Sequence, residues 1–166
     1  MLNVPAVKVV SHDPEQTRQL GAQVGKALQT GDVICLQGDL GAGKTTLVQG
    51  IAQGWGSLDS VSSPTFILVN AYRRADEKKG GTTPPLLFHM DAYRLDSASE
   101  AEELDLDSML AEGALIVEWP ERMPGLIPAE NLWLTIEHTG ETQRELKFTA
   151  SGKRYEELLG LIREGA

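Results

Sequence analysis

A glycine-rich stretch that ends in lysine and threonine carries the clearest chemistry in this sequence. Residues 38–45 read Gly-Asp-Leu-Gly-Ala-Gly-Lys-Thr and match the phosphate-binding pattern G-x-x-x-x-G-K-[S/T] at every fixed position. Glycines let a backbone take positive φ and approach phosphate oxygens that a Cβ would block. The lysine supplies a mobile charge for the β- and γ-phosphates, and the threonine hydroxyl is placed to ligate Mg²⁺. The stretch therefore predicts a nucleotide site.

The flanks of this glycine-rich loop argue against an accidental turn. Residues 32–37 form an apolar, β-branched run typical of a strand, and residues 45–52 are typical of a helix. The first N–H groups of such a helix and its positive dipole end point at the bound anion. We predict that nucleotide contacts Gly38, Asp39, Leu40, Gly41, Ala42, Gly43, Lys44, Thr45 and Thr46.

Two acidic residues each end an apolar run typical of a strand. Asp91 follows residues 86–90, and Glu118 follows residues 115–117. Ligands of open α/β sheets bind at the carboxyl ends of strands, so both carboxylates are candidates to reach Mg²⁺. Either could instead be an ordinary acid at a strand end, and the pattern leaves open which one contacts the metal directly.

Three further residues are candidates for the same site. Thr65, in a Ser-Pro-Thr stretch, is placed like a switch residue that meets the metal or the γ-phosphate, although it could be an ordinary loop threonine. His89 lies two residues before Asp91, and we expect a packed or hydrogen-bonded histidine rather than a catalytic one. Trp119 adjoins Glu118 and could cover the site, or it could serve as a core or interface residue.

The composition limits the class of protein. A length of 166 residues with 41% hydrophobic content suits one domain with a single core. No apolar run approaches the length of a membrane span and no export signal is visible, so we expect a cytoplasmic protein. The lone cysteine, Cys35, excludes an internal disulfide and is expected in the core. A net charge of −9 argues against non-specific binding to nucleic acid.

Hydrophobic periodicity predicts an alternation of strands and helices. The Asp13-Pro14 pair marks the start of an amphipathic helix, with Asp13 or Ser11 as the cap. Other helices are predicted at residues 45–52 and 155–163. Strands are predicted at residues 7–10, 32–37, 66–72, 86–91, 113–120, 132–137 and 144–149. Polar turn residues at 73–85 and 139–141 predict two antiparallel hairpins, the first with a mobile tip.

An acidic stretch lies between the fourth and fifth of these strands. Six of the twelve residues from Asp96 to Asp107 are acidic, with apolar residues interleaved. The pattern fits a solvated helix face, and it also fits a docking surface for a basic partner.

Four stretches together resemble the TsaE family, formerly called YjeE. They are Gly-Asp-Leu-Gly-Ala-Gly-Lys-Thr-Thr at 38–46, Ser-Pro-Thr-Phe at 63–66, His-Met-Asp-Ala-Tyr-Arg-Leu at 89–95 and Glu-Trp-Pro-Glu-Arg at 118–122. Unrelated nucleotide hydrolases share the first stretch, but the other three in this order are specific. The tip at residues 74–85 departs from the family pattern by its length.

The resemblance implies a small bacterial ATPase with ATP and Mg²⁺ as its cofactors. It implies a role in forming threonylcarbamoyladenosine in tRNA, docked on the TsaB–TsaD pair and meeting tRNA only through that complex. The implied fold is a three-layer α/β P-loop NTPase fold, one domain over residues 1–166, with a mostly parallel central sheet and antiparallel hairpin additions.

The resemblance also implies roles for individual residues. Lys44 and Thr45 are the phosphate and Mg²⁺ residues, and Glu118 resembles the second metal carboxylate. Asp91 resembles the essential strand-end aspartate, and Thr65 resembles the switch threonine. We therefore predict Lys44, Asp91 and Thr65 as catalytic residues and Thr45 and Glu118 as metal ligands.

Two other functions use the same loop. A small-molecule kinase usually needs an arginine-rich lid and an acceptor pocket, and the stretch after Glu118 offers only Arg122. A nucleotide-dependent binding module would bind tightly with negligible turnover. The sequence lacks the Asn-Lys-x-Asp signature of guanine recognition, which favours ATP over GTP.

Overall fold

The polypeptide folds around one seven-stranded mixed sheet. The computed structural model describes residues 5–39, 41–62, 64, 69–75, 83–95 and 103–165, with side chains as far as residue 162. The strands are β1 Ala6–Ser11, β2 Val33–Gln37, β3 Val69–Tyr72, β4 Leu86–Asp91, β5 Gly113–Glu118, β6 Asn131–His138 and β7 Arg144–Ser151. The α-helices of the described residues are α1 Pro14–Ala27, α2 Lys44–Trp55, α3 Leu106–Glu112 and α4 Lys153–Gly165.

Only the centre of the sheet is parallel. The strand order is β1-β7-β6-β2-β5-β4-β3, and the four strands β6, β2, β5 and β4 run parallel. The outer pairings, β1 with β7, β6 with β7 and β3 with β4, are antiparallel. The parallel centre and the added antiparallel hairpins match the predicted arrangement, and three of the six strand pairings are antiparallel. The connection from β6 to β7, residues 139–143, is too short for the crossover that parallel neighbours need.

The two faces of the sheet carry separate hydrophobic clusters. The larger cluster packs α1, α2 and α4 against one face, through residues such as Val24, Ile51 and Leu158. The smaller cluster lies on the opposite face, where side chains of α3 such as Met109 pack over β4 and β5. No helix in the described ranges is long and apolar enough to cross a membrane.

Cys35 occupies the centre of the sheet, as predicted from its strand pattern. It lies in β2, between β5 and β6, and is fully buried. Burial raises the pKa of its thiol to about 12, with a smaller contribution from the negative charge of Glu121. The residue is therefore a small core side chain and stays protonated at neutral pH.

Helix α3 was not predicted from the sequence. Asp105 caps it by accepting a hydrogen bond from the backbone N–H of Ser108 at 3.2 Å. The predicted acidic stretch is described only from Glu103 onward. There the acidic side chains are exposed, whereas Leu104 and Leu106 pack against the smaller hydrophobic cluster. Glu100 and Glu102 lie outside the described residues.

Helices α1 and α2 are in backbone contact because glycines line their crossing. A Cβ on Gly25 of α1 would lie 2.0 Å from the carbonyl oxygen of Ile51. A Cβ on Gly50 of α2 would lie 2.3 Å from the carbonyl oxygen of Arg18. Any side chain at these positions must push the helices apart. The contact fixes α2, and with it the glycine-rich loop that precedes α2, against the rest of the fold.

Substituting alanine at this crossing should destabilise the protein. Gly25→Ala should lower the free energy of unfolding by about 2 kcal/mol or more, because the added methyl group forces the backbones apart. Gly160→Ala is the matched control, since Gly160 is exposed within α4 and a Cβ there meets nothing within 4 Å. Helix propensity alone should make this control more stable by up to about 1 kcal/mol. Urea unfolding measures both, and a stabilised Gly25→Ala would contradict the close crossing.

Candidate functional site

The glycine-rich loop leaves the carboxyl end of β2, between the ends of β5 and β6. Backbone hydrogen bonds tie the neighbouring ends together. The N–H of Trp119 donates to the carbonyl of Leu36 at 3.2 Å, and the N–H of Ala92 donates to the carbonyl of Glu118 at 3.0 Å. The ends of β2, β5 and β4 are therefore held side by side, with the loop beside them.

The glycines of the loop serve two different purposes. Gly41 and Gly43 have φ of 81° and 106°, a conformation that other residues rarely adopt. Gly38 does not share this conformation. A Cβ on Gly38 would lie 2.7 Å from Cγ2 of Ile136, so glycine is needed there because β6 passes close by. Leu40 lies outside the described residues.

The first turn of α2 presents free backbone donors next to the loop. Gly43 is the N-cap residue, so no side chain caps the first N–H groups of the helix. Thr45 is exposed in this turn and Thr46 is half-buried. Uncapped N–H groups at the positive end of a helix are well suited to bind a phosphate group.

Lys44 is buried beneath this turn. Its ammonium group donates a 2.5 Å hydrogen bond to the carbonyl oxygen of Gly38 and lies 3.9 Å from the ring centroid of Trp119. Burial lowers the pKa of Lys44 below its usual value, while the charges of Glu118 and Asp91 oppose that shift. The lysine is thus held over the loop by contacts that a phosphate group can replace.

The two predicted carboxylates are direct neighbours. Asp91 ends β4 and Glu118 ends β5, and the two residues are paired in the parallel register. Their side chains share the face of the sheet on which α2 lies, because Leu87 and Ile116, at even spacing along the same strands, pack in that cluster. Carboxylate oxygens at adjacent strand ends are ligands that Mg²⁺ accepts.

Asp91 lies in an environment that disfavours its charge. Burial raises the pKa of Asp91 above its ordinary value. The 2.9 Å hydrogen bond from the backbone N–H of Tyr93 acts in the opposite direction, and the negative charge of Glu118 adds to the increase. A bound cation would offset this unfavourable environment, since it favours the ionised form of both acids.

His89 is hydrogen-bonded within the strand layer, as expected. It is buried in β4, and its Nε2 atom lies 2.6 Å from Oε2 of Glu118. In the described residues no three His, Cys, Asp or Glu side chains form a ready metal site. A Mg²⁺ ion would therefore take ligands from one or both strand-end acids, Thr45, phosphate oxygens and water, which fits the way this ion usually binds.

Trp119 combines the two roles considered for it, because it lies against the lysine and also packs against the smaller hydrophobic cluster. It is the only non-glycine residue at positive φ in the described ranges, with φ 59° and ψ 48°. Its ring contacts both Lys44 and Tyr93, and the centroid of the Tyr93 ring is 4.8 Å away. The guanidinium carbon of Arg122 lies 5.3 Å from the ring centroid of Tyr93. A backbone held in this rare region is often found where function requires it.

Arg144 is a loop contact that the sequence analysis missed. Its Nε atom donates to the carbonyl oxygen of Ala42 at 2.9 Å, and its Nη1 atom donates to the carbonyl of Gln143 at 3.0 Å. The side chain therefore joins the glycine-rich loop to the turn between β6 and β7. One argument from the sequence could have identified it. A strand that pairs with β2 must begin or end near the glycine-rich loop, so a basic residue in the turn of that strand is a candidate to contact the loop.

A cleft of about 610 Å³ opens beside the loop. Gly38, Asp39 and Ala42 line one side, and Trp119 and Glu121 line another. Gln37 and residues 135–138 of β6 complete the lining. The predicted switch residue Thr65 lies outside the described residues, so its position relative to the cleft stays a prediction.

The fold and site define an α/β protein with a glycine-rich loop, a buried lysine and two carboxylates at the edge of a mixed sheet. Residues 11–146 match the family profile described as "Threonylcarbamoyl adenosine biosynthesis protein TsaE". The chain therefore belongs to the TsaE family, as its motifs indicated.

Individual relatives agree with this assignment. A Bacillus subtilis protein, "tRNA threonylcarbamoyladenosine biosynthesis protein TsaE", is 40% identical over 88% of this chain and 87% of its own. A Streptomyces coelicolor protein of the same name is 38% identical over 83% of this chain and 93% of its own. The crystal structure of Bacillus subtilis YdiB superposes with a TM-score of 0.79 and 31% identity, covering 99% of both chains.

Asp91 should reduce the stability of the nucleotide-free protein. Its pKa is raised above the ordinary value of 3.8, so the ionised form is disfavoured in the folded state. Asp91→Asn should therefore raise the free energy of unfolding at neutral pH, since the amide oxygen can still accept from Tyr93. The gain should shrink as the pH falls through the raised pKa of the folded state, and it should disappear below 3.8, where the folded and unfolded states both carry the protonated acid. Urea titrations across this pH range measure it, and a gain that grows on acidification would contradict the raised pKa.

Proposed function

We propose that this protein is a Mg²⁺-dependent P-loop ATPase that acts in the formation of threonylcarbamoyladenosine in tRNA. The observation that carries the proposal is the position of Lys44, held in a glycine-rich loop beside two neighbouring strand-end carboxylates. The family membership supports the tRNA pathway, because the relatives are named for it. The mixed α/β sheet with the loop at the carboxyl end of β2 supports the P-loop NTPase class.

Each part of the site has a role in this proposal. The backbone N–H groups of residues 41–46 bind the β- and γ-phosphates, and Lys44 exchanges the Gly38 carbonyl for phosphate oxygen. Thr45 and Glu118 hold Mg²⁺, which neutralises phosphate charge when bound. Asp91 orients the attacking water. Trp119 covers the lysine and limits the access of other water molecules.

The described site does not supply all of the positive charge that the transition state of phosphoryl transfer needs. Arg144 is engaged with the carbonyl oxygens of the loop and of the turn, and Arg122 lies against Tyr93. Phosphoryl transfer gains about 10³–10⁵ in rate from an arginine finger, which a partner can supply. We propose that the TsaB–TsaD complex completes the site, and that tRNA is reached only through that complex. The net charge of −9 fits a protein that does not bind RNA by itself.

Three kinds of substitution should separate the phosphate, metal and water roles. Lys44→Ala should lower ATP turnover more than tenfold, since a charge-assisted contact is worth about 1.5–3 kcal/mol.

Glu118→Gln and Thr45→Ala should weaken ATP binding in Mg²⁺ but not in EDTA. Asp91→Asn should keep ATP affinity and impair hydrolysis. Titration of a fluorescent ATP analogue in both conditions, with phosphate release as the rate assay, measures these effects. Full turnover by Lys44→Ala would refute the loop assignment, and phosphate release that requires an added metabolite would indicate a kinase instead.

The partner should raise the rate of hydrolysis. ATP turnover by the protein alone should be slow and should increase when the TsaB–TsaD complex is added. If the acidic stretch is the docking surface, the increase should diminish with salt and on replacing Glu100, Glu102 and Glu103 by glutamine. A rate of ATP hydrolysis that does not change when the complex is added would contradict activation by the partner. Activation that survives both salt and the substitutions would exclude the acidic stretch as the docking surface.

A further inference from the structure

A chain of buried polar side chains leads from Glu118 away from the glycine-rich loop. Oε2 of Glu118 lies 2.6 Å from Nε2 of His89. Nδ1 of the same ring lies 2.9 Å from the hydroxyl of Tyr72. That hydroxyl lies 3.2 Å from the carbonyl oxygen of Ser62, which also accepts a 3.0 Å hydrogen bond from Asn70. The chain thus crosses β5, β4 and β3 and ends on the backbone.

We call Glu118, His89 and Tyr72 the relay. All three of their side chains are packed inside the protein. His89 is 1% exposed, Tyr72 is 3% exposed and Glu118 is 5% exposed. Tyr72 also belongs to the larger hydrophobic cluster, which fixes its ring. None of these groups can exchange its partner for bulk water, so each hydrogen bond determines the orientation of the next side chain.

The ring of His89 is held on both of its nitrogen atoms. One nitrogen contacts the carboxylate of Glu118 and the other contacts Tyr72, so rotation of the ring would break both hydrogen bonds. One oxygen of Glu118 is occupied by this contact. Its second oxygen remains for another ligand at the strand end, next to Asp91.

We propose that His89 and Tyr72 are positioning residues for the metal carboxylate. His89 holds Glu118 with one oxygen towards the Mg²⁺ position, and Tyr72 holds His89. The relay therefore sets the affinity for Mg²⁺ in the nucleotide complex without touching nucleotide. This inference rests on the proposed function, since it needs a metal at Glu118. Groups that hydrogen-bond to metal ligands commonly contribute about 10- to 100-fold to metal affinity.

A buried polar network that serves the fold alone would behave differently. Its loss would lower stability and leave the metal dependence of ATP binding unchanged. The chain offers a matched control for this outcome. The hydroxyl of Tyr155 is also buried and accepts a 2.8 Å hydrogen bond from the backbone N–H of Val33, at the opposite end of β2 from the glycine-rich loop.

The test compares Tyr72→Phe, His89→Gln and His89→Leu with the control Tyr155→Phe in the full chain. A fluorescent ATP analogue is titrated in EDTA and across a Mg²⁺ series, and the thermal midpoint of each variant is recorded. His89→Leu should weaken the apparent Mg²⁺ affinity by about 10- to 100-fold. Tyr72→Phe should weaken it by about three- to tenfold, the loss expected from one hydrogen bond. His89→Gln should recover part of the loss, because its amide can still donate to Glu118.

The control and the metal-free titration decide the result. Binding in EDTA should be unchanged in every variant, and Tyr155→Phe should lower the thermal midpoint while keeping the Mg²⁺ affinity of the wild type. Variants of the relay that behave like Tyr155→Phe would overturn the inference and leave the proposed function intact. If the ATP affinity of the wild type does not depend on Mg²⁺, the proposed metal site itself is overturned.

A second measurement needs neither nucleotide nor metal. The side-chain ¹⁵N shifts of His89 in the nucleotide-free protein report whether each ring nitrogen is hydrogen-bonded. Tyr72→Phe should move the Nδ1 signal, whereas Tyr155→Phe should leave both nitrogen signals in place. Identical His89 spectra in the wild type and Tyr72→Phe would overturn the relay even if His89→Leu does not fold.

Discussion

The parallel register of β4, β5 and β2 is the constraint on which the site depends. It pairs Asp91 with Glu118, and it pairs Glu118 with Leu36, one residue before the last residue of β2. A shift of one residue in either pairing would turn the side chain of one acid to the opposite face of the sheet. Backbone hydrogen bonds from Ala92 and Trp119 continue the pairing beyond the strand ends, so the register extends to the place where the loop begins.

The same arrangement concentrates charge where the protein excludes water. Lys44 and Glu118 are each more than nine-tenths buried, and Asp91 is half-buried beside them. Burying charge costs free energy unless hydrogen bonds and opposite charges compensate. Here the Gly38 carbonyl, the Trp119 ring and His89 provide that compensation in the absence of ligand. Binding of a charged ligand would replace several of these contacts, which is a common reason why functional sites are less stable than they could be.

Local patterns predicted the parts of the site that lie close together in sequence. The strand, loop and helix around Lys44 and the strand-end positions of Asp91 and Glu118 follow from composition and spacing. Contacts between distant residues could not be predicted in this way. Arg144 reaches Ala42 across 102 positions, and the need for glycine at residue 38 comes from Ile136 of another strand. Helix α3 and the antiparallel pairing of β1 with β7 were not predicted, because tertiary packing decides them.

The burial of the lone thiol makes the centre of the sheet observable by simple chemistry. Cys35 lies on the strand that leads into the loop, and its thiol is both inaccessible and protonated at neutral pH. Thiol reagents can modify it only in molecules whose central strand has opened. The rate of labelling therefore reports how often this strand opens. In the folded protein, a dye that reacts with a cysteine introduced on the surface would label only that cysteine.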